Sequence, residues 1–365
     1  MTVYDRHHPF FSKIKDRFRL NKEGSTRETW HFVLDLASSG IDYKPGDSIA
    51  ILPQNDREEV EKILLHLGAS GDESVQGVDT DPISIREHLR QRVNLAVPTK
   101  KLLLALNDFR FLGSDEVIKQ VIATHNVEEV LSGHQMTYEH FLPLLSPLLP
   151  RFYSIASSKA YAGDEVHLTV ARVQYEVSGK ERRGVCSHFL CDQIDVEKQK
   201  VGIYLQPTRD FRLPANDETP IIMIGPGTGV APFRAFMQEK LQHAKTKDNC
   251  WLYFGERHSA TDFFYETFWQ ELVDAQMLRL DVAFSRDQKE KIYVQHRMWE
   301  KRKDFWKWLE NGAVIYVCGN ASHMAKDVDA MLHTIAESEG NMTHEKAREF
   351  VKKLRHEKRY IRDVY

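Results

Sequence analysis

The chain lacks several things, and each absence excludes a class of protein. It has no apolar run approaching the ~20 residues that a membrane-spanning helix needs, so no membrane partner is expected. Residues 1–10 lack the apolar core of a secretory signal. Cysteine is scarce: Cys186, Cys191, Cys250 and Cys318 are the only ones in 365 residues, and their spacing is irregular. They are too few to staple a chain of this size and read as reduced thiols of a cytoplasmic protein. Charge of either sign is not in excess, with 50 Lys and Arg against 53 Asp and Glu. Nucleic-acid binders are usually clearly basic, so no nucleic-acid partner is expected. Despite 17 histidines there is no His-Glu-x-x-His and no paired Cys-x-x-Cys, so no metal is expected.

What is present is enough chain for about two domains at ~150 residues each, with an ordinary 42% of hydrophobic residues. Residues 10–52 read as β: 30–36 is rich in aromatic and branched side chains, and a Pro45-Gly46-Asp47 turn leads to a short strand at 48–52. From Asp56 the apolar residues recur three and four apart, as at 58–67 and 83–93, and this helical style continues to Leu149. Alternation returns at 152–155 and 166–170, so a helical block is inserted into a β-rich domain. After Phe211-Arg212-Leu213-Pro214, short apolar runs at 221–224, 251–254, 280–284 and 314–317 alternate with helical stretches at 233–242, 265–275 and 325–337. That alternation predicts a doubly wound parallel sheet with ligand at the carboxyl ends of its strands.

An ordered set of short motifs lies on this frame. Arg151-Phe152-Tyr153-Ser154 offers a cation, rings and a hydroxyl, a combination suited to a flavin nucleotide. Strict alternation would put Arg151 and Tyr153 on one face and Phe152 and Ser154 on the other, so a twist or bulge is expected there. Gly184-Val185-Cys186-Ser187 offers backbone amides to phosphate. Gly225-Pro226-Gly227-Thr228-Gly229 follows a buried strand and precedes a helix, where backbone amides and the helix dipole suit a diphosphate. A plain strand-to-helix turn would look the same in isolation. Ser285 and Arg286, followed by Lys291, Tyr293 and Gln295, start where the 280–284 run ends. A 2′-phosphate needs cations and a hydroxyl, and an aromatic can stack on adenine. Two charge-assisted bonds would contribute ~3–6 kcal/mol, roughly a hundred- to ten-thousand-fold preference for NADP over NAD.

Taken together, these residues resemble the FAD/NADPH half of the diflavin reductases, in the ferredoxin–NADP reductase superfamily. The resemblance covers essentially the whole chain. Phe211 to Asn216, the Ser285 to Lys291 segment and the ending Arg362-Asp363-Val364-Tyr365 are most similar to the flavoprotein subunits of NADPH-dependent sulfite reductases. It implies an antiparallel β-barrel FAD domain at 1–55 and 150–216, a helical connecting insert at 56–149 and an α/β parallel-sheet NADP-binding domain at 217–365.

It further implies that Arg151 faces the FAD diphosphate, Tyr153 stacks on the flavin ring and Ser154 bonds near its reacting nitrogen. Thr169, Val170, Ala171 and Tyr175 would line FAD, and Gly184, Val185, Cys186 and Ser187 would hold its phosphates. Gly227 and Thr228 would serve the NADP diphosphate. Ser285, Arg286, Lys291, Tyr293 and Gln295 would take the 2′-phosphate and adenine, with Asp327 assisting. Tyr365 would cover the flavin until nicotinamide displaces it, while Ser154, Cys318 and Asp363 orient the nicotinamide.

The implied activity is NADPH-dependent electron transfer through FAD to an FMN domain or flavodoxin-like carrier, serving a sulfite reductase hemoprotein. Alternatives are a free-standing ferredoxin or flavodoxin reductase and a non-catalytic flavin-binding module. Two departures stand out. Asn320 occupies a position where the family commonly has Asp, and the FMN domain found upstream in diflavin reductases is not in this sequence. Either that domain has been removed or the electrons pass to a separate carrier.

Overall fold

The computed structural model describes residues 4–76, 81–108, 113–196, 198–243 and 248–365. Residues 1–3 of the opening segment read above lie outside them. The first sheet has six antiparallel strands in the order Arg151–Ser154, Ser48–Ile51, Lys200–Gln206, Phe10–Arg19, Thr29–Asp35 and Glu165–Ala171. Period-two patterning sorts its faces. Val166, Leu168 and Val170 pack inward with Phe32, Leu34, Ile49 and Ile203, leaving His167, Thr169 and Ala171 on the opposite face. The family resemblance implied an antiparallel β-barrel. Among the described residues, the two ends of the sheet meet only at one bridge, Ile155 to Leu168. What the ladders draw is therefore an antiparallel sheet pinned at one point.

Helices occupy the stretch between Ser48–Ile51 and Arg151–Ser154 in the chain, with a core of their own that includes Val60, Ile63, Leu89, Leu103, Val130 and Phe141. Local chemistry sets their ends. Asp56 accepts from the amides of Glu58 and Glu59 at the start of Arg57–Leu67, and Gly68 closes that helix at φ 63°. Asn126 and Glu129 form a reciprocal capping box on Val127–Leu131. The helix expected over 83–93 is shorter, Ile85–Gln91, because Ile83–Ser84 pairs with Ser74–Val75 and Ser84 becomes the cap.

The second sheet is parallel, in the order Arg279–Phe284, Cys250–Glu256, Ile221–Ile224, Val314–Gly319 and Tyr360–Val364. All four side chains of Ile221–Ile224 are buried. One face packs on Phe233, Phe236 and Trp269, the other on Met298, Phe305, Ile335 and Val351. The strand order reverses between Ile221–Ile224 and Val314–Gly319, which makes their carboxyl ends a crevice. Several elements had no counterpart in the sequence reading, among them an edge strand and a hairpin. Tyr360–Val364 is an edge strand with two charged residues rather than an apolar run, and the hairpin of Gln174–Val177 with Lys180–Arg183 is largely exposed.

A polar seam fixes one sheet against the other. Asn21 Nδ2 donates to Asp262 at 2.7 Å, the Ser158 amide to Gln238 at 3.0 Å and Arg234 Nη1 to the Ala156 carbonyl at 2.7 Å. The connecting segment is clamped as well. Arg212 binds Asp47 and the Lys44 and Pro45 carbonyls, and a Cβ at Gly46 would stand 1.8 Å from the Phe211 carbonyl oxygen.

Candidate functional site

Along that seam a cavity of about 280 Å³ is lined by Arg151 to Ser154, Thr169, Ala171, Val173, residues 184–187, Thr228, Ala231 and Tyr365. The bulge expected at Arg151–Ser154 is not there. Its ladder runs in regular register, from Ser154 opposite Ser48 to Arg151 opposite Ile51. Being an edge strand, it offers side chains from both faces to the cavity. Tyr153 also packs on the inner core beside Cys186, and burial raises the phenol well above its usual range. Burial likewise raises the Cys186 thiol to about 12, so it stays neutral.

Val170 is fully buried in the core, which leaves only its backbone for anything in the cavity. Gly184 has a steric reason: a Cβ there would stand 2.9 Å from Val173 Cβ and 3.0 Å from Ser187 Oγ. The Ser187 hydroxyl is spoken for, donating to the Gly184 carbonyl and accepting from the Val173 amide, both at 3.1 Å. Tyr175 does not reach this cavity. It lies in an adjoining cleft with Arg182 and His188, and Val185 lines both spaces.

At the junction of the two sheets, Ser154 Oγ donates to Asp363 Oδ2 at 2.8 Å, and Cys318 Sγ lies 3.9 Å from the same oxygen. Cys318 and Asp363 are direct neighbours across a parallel ladder. Burial and then the Asp363 carboxylate push the Cys318 thiol well up, so it too is neutral. Tyr365, 62% exposed, closes one side through a 2.8 Å bond to Thr228 Oγ1. Its backbone is fixed on both sides by bonds to Gly319 and Ala321.

The glycines of the 225–229 turn divide their work. A Cβ at Gly229 would stand 2.1 Å from the Cys318 carbonyl oxygen, and one at Gly225 2.5 Å from the Gly229 carbonyl oxygen. Both permit close backbone approach. Gly227 instead has φ +59°, and a Cβ there would meet Glu256 Oε1 at an ordinary contact distance of 3.6 Å, so its requirement is conformational.

A second cavity of about 560 Å³ lies at the carboxyl ends of the parallel strands, lined among others by Gly227, Ser285, Tyr293, Gln295, Asn320 and Asp327. Gln295 Nε2 donates to Asp327 at 3.2 Å, and Asn320 Oδ1 accepts from the amides of Ser322 and His323. Arg286 and Lys291 are exposed and do not line this space. Arg27 and Arg257 do, and sequence reasoning missed both. Burial, then repulsion from Arg27 and Arg286, lowers the Arg257 guanidinium. A like-charge cluster of this kind suits a multiply charged anion. Arg257 was findable: the parallel register sets Glu256 beside Phe284, so Arg257 leaves its strand level with Ser285. Arg27 comes from a loop of the other sheet, and only the tertiary fold brings it here.

Residues 3–189 match the family model described as FAD binding domain. The chain belongs to that family. Residues 223–330 match the oxidoreductase NAD-binding domain, so an FAD-binding domain is followed by an NAD-binding one. Among curated proteins, the sulfite reductase (NADPH) flavoprotein alpha-component of Bacillus subtilis is 41% identical over 378 residues, covering 100% of this chain and 62% of its own. The proteins of the same name from Vibrio cholerae and Escherichia coli are each 40% identical, over 99% and 100% of this chain and 60% and 62% of theirs. This chain thus spans about three-fifths of the relatives it matches.

Among the described residues, no helix is long and apolar enough to cross a membrane, and no group of three or more His, Cys, Asp or Glu is placed to hold a metal.

Proposed function

We propose that the chain is the NADPH-oxidising FAD unit of a flavoprotein reductase. The observation that carries this reading is the junction. One cavity holds Arg151, Tyr153 and Ser154, the other Ser285, Tyr293 and Gln295, and the adjacent residues Thr228 and Gly227 line one each. In this reading the division of labour is an FAD-binding barrel at 1–55 and 150–216, a connecting insert at 56–149 and an NADP-binding domain at 217–365.

The residues present suit the cofactor. The steric requirement for glycine at position 184 leaves the amides of Val185 to Ser187 open to phosphate, and Arg151 supplies a counter-charge at the same cavity. FAD, when bound, accepts a hydride and passes electrons on singly. The protein's task is alignment, which can contribute up to ~7–11 kcal/mol when reactants are held in near-attack geometry. Ser154 presents a hydroxyl whose hydrogen is directed by Asp363. Cys318 offers a neutral, polarisable wall, and Tyr365 holds the space that a nicotinamide ring would enter. Arg27, Arg257 and Arg286 attract the 2′-phosphate, with Ser285 donating to it and Tyr293 stacking on adenine. Asp327 completes the second site in this reading, while Lys291 and Tyr175 stand outside the two cavities.

Electrons would then leave to an FMN domain or flavodoxin-like carrier, in support of a sulfite reductase hemoprotein. The printed name of the relatives supports that destination. The test is anaerobic rapid mixing of the FAD-loaded protein with NADPH or NADH. Fast loss of the visible flavin band with NADPH and a slow response to NADH are expected. A flavin that NADPH leaves oxidised would overturn the reading.

A further inference from the structure

The cofactors and the junction cluster leave one buried feature unused, a line of hydrogen bonds between the first cavity and the surface. Thr169 lines that cavity, and its Oγ1 lies 2.6 Å from the Tyr265 hydroxyl. Tyr265 is 2.9 Å from His31 Nδ1, and His31 Nε2 is 3.1 Å from His167 Nδ1. His167 Nε2 is 3.4 Å from Glu165 Oε2, and Glu165 pairs with the exposed Lys15. Thr169 and His31 are 4% and 2% exposed, and Phe18 stacks on His31. The middle of the line is therefore shielded from water.

The direction of these bonds follows from Arg234, which has no acceptor. Its Nη1 lies 3.4 Å from His167 Nδ1, so that nitrogen must accept. His31 Nε2, facing the same atom, must then donate, which leaves His31 Nδ1 to accept from Tyr265. Tyr265, having spent its hydrogen, accepts from Thr169. His167 carries its hydrogen on Nε2, toward Glu165. Every donor points outward. We propose that Thr169, Tyr265, His31, His167 and Glu165 form a proton-exit relay from the flavin cavity to the protein surface.

This relay rests on the flavin reading above. A cofactor reduced by two electrons and two protons gives the electrons to two one-electron acceptors and must return two protons to water. One proton entering at the Thr169 oxygen displaces each hydrogen one link outward until His167 delivers one to Glu165, and thence to water. The hydroxyls and imidazoles must return to their starting hydrogen positions before the second pass, and Arg234, which offers His167 Nδ1 only hydrogens, favours that arrangement. Both imidazoles suit the task because they are neutral near pH 7. Burial, then the Arg234 charge, lowers His31 to about 2 and His167 to about 4, with Glu165 partly opposing the shift at His167. The charged groups facing the pair are Arg234 from its helix and Lys15 and Glu165 from their strands. Tyr265 occupies the left-handed region at φ 57°, a costly conformation for a bulky residue, and its side chain is held in place by this network and by Arg234 over its ring at 5.0 Å.

The test follows proton release with an indicator dye in weak buffer as the reduced FAD-loaded protein is discharged by ferricyanide, which takes electrons and no protons. Tyr265→Phe keeps the ring and removes two links, and Thr169→Val removes the first with little change of shape. Each is expected to slow proton release by roughly tenfold or more and to raise its solvent isotope effect. Release at the parent's rate in both variants would overturn the relay. Nitrogen-15 spectra of the histidines give a reading independent of turnover: His31 and His167 should both be neutral with the hydrogen on Nε2. A hydrogen on His167 Nδ1 would equally end the proposal. If NADPH fails to reduce the parent protein, the flavin–NADPH reading falls, and dithionite reduction still decides the relay.

Discussion

The parallel sheet presents its cavity-lining groups on loops at one end of its strands, whereas the antiparallel sheet presents them from strand faces and an edge. In the first, position along the chain predicts position in space. Ser285 and Arg257 leave their strands at the same level, and the 225–229 turn leaves the central strand at the same end of the sheet, level with Phe254, because a parallel ladder puts every carboxyl end on one side. In the second, Arg151, Thr169 and Gly184 come from three unrelated stretches, and only sheet order brings them to one cavity. Among the described residues, the helical insert supplies none to either cavity and serves as an internal reference for both.

Three substitutions would sharpen or break this contrast. Gly229→Ala should have the largest effect, since both atoms it would force apart belong to backbone at the junction. Overpacking of this kind costs about 1–3 kcal/mol or more, so a marked fall in unfolding temperature together with loss of NADPH-driven flavin reduction is expected. Normal melting and kinetics would mean that the close approach of the two strands is dispensable.

Arg257→Ala comes next. One lost charge-assisted bond of ~1.5–3 kcal/mol corresponds to roughly a ten- to hundred-fold rise in the NADPH Michaelis constant. NADH, without the phosphate, should be nearly unaffected, and equal losses with both would remove Arg257 from the phosphate site.

Glu59→Gln probes the insert and should be the smallest. Burial, then Asp56 and Glu128, raises the Glu59 carboxyl to about 7. A raised folded-state value contributes stability below the unfolded value of 4.5 and loses it as pH climbs through about 7. The glutamine variant should therefore gain on the parent between about pH 5 and 8, by on the order of 1 kcal/mol after discounting for partial exposure. Thermal melts across that range check the sign, and flavin reduction by NADPH should not change.

Much of the fold was legible because apolar periodicity is a local property. The run at 221–224 is the central strand of the parallel sheet, and the three-and-four spacing after Asp56 gave the helical insert. Where burial does not set the pattern, legibility failed. The edge strand Tyr360–Val364 carries Arg362 and Asp363 and gives no apolar signal, although it delivers Asp363 to Ser154. The site residues proposed from motifs were partly brought together: Arg151, Tyr153, Ser154, Thr169, Ala171 and residues 184–187 share one cavity, while Tyr175, Arg286 and Lys291 stand outside the cavities expected for them. Exposed polar side chains carry no periodic constraint, so a motif predicts their presence and not their direction.

The sequence alone determined the alternation of strand-like and helical stretches and the glycine-bearing turn after the central strand, because hydrophobic period and turn chemistry act within a few residues. The tertiary structure decided the rest. Arg27 joins Arg257 from the other sheet, and Thr169 finds Tyr265, 96 residues away. A hydrogen bond or a charge contact depends on distance in space, and nothing in the local chain encodes which distant residue will arrive there.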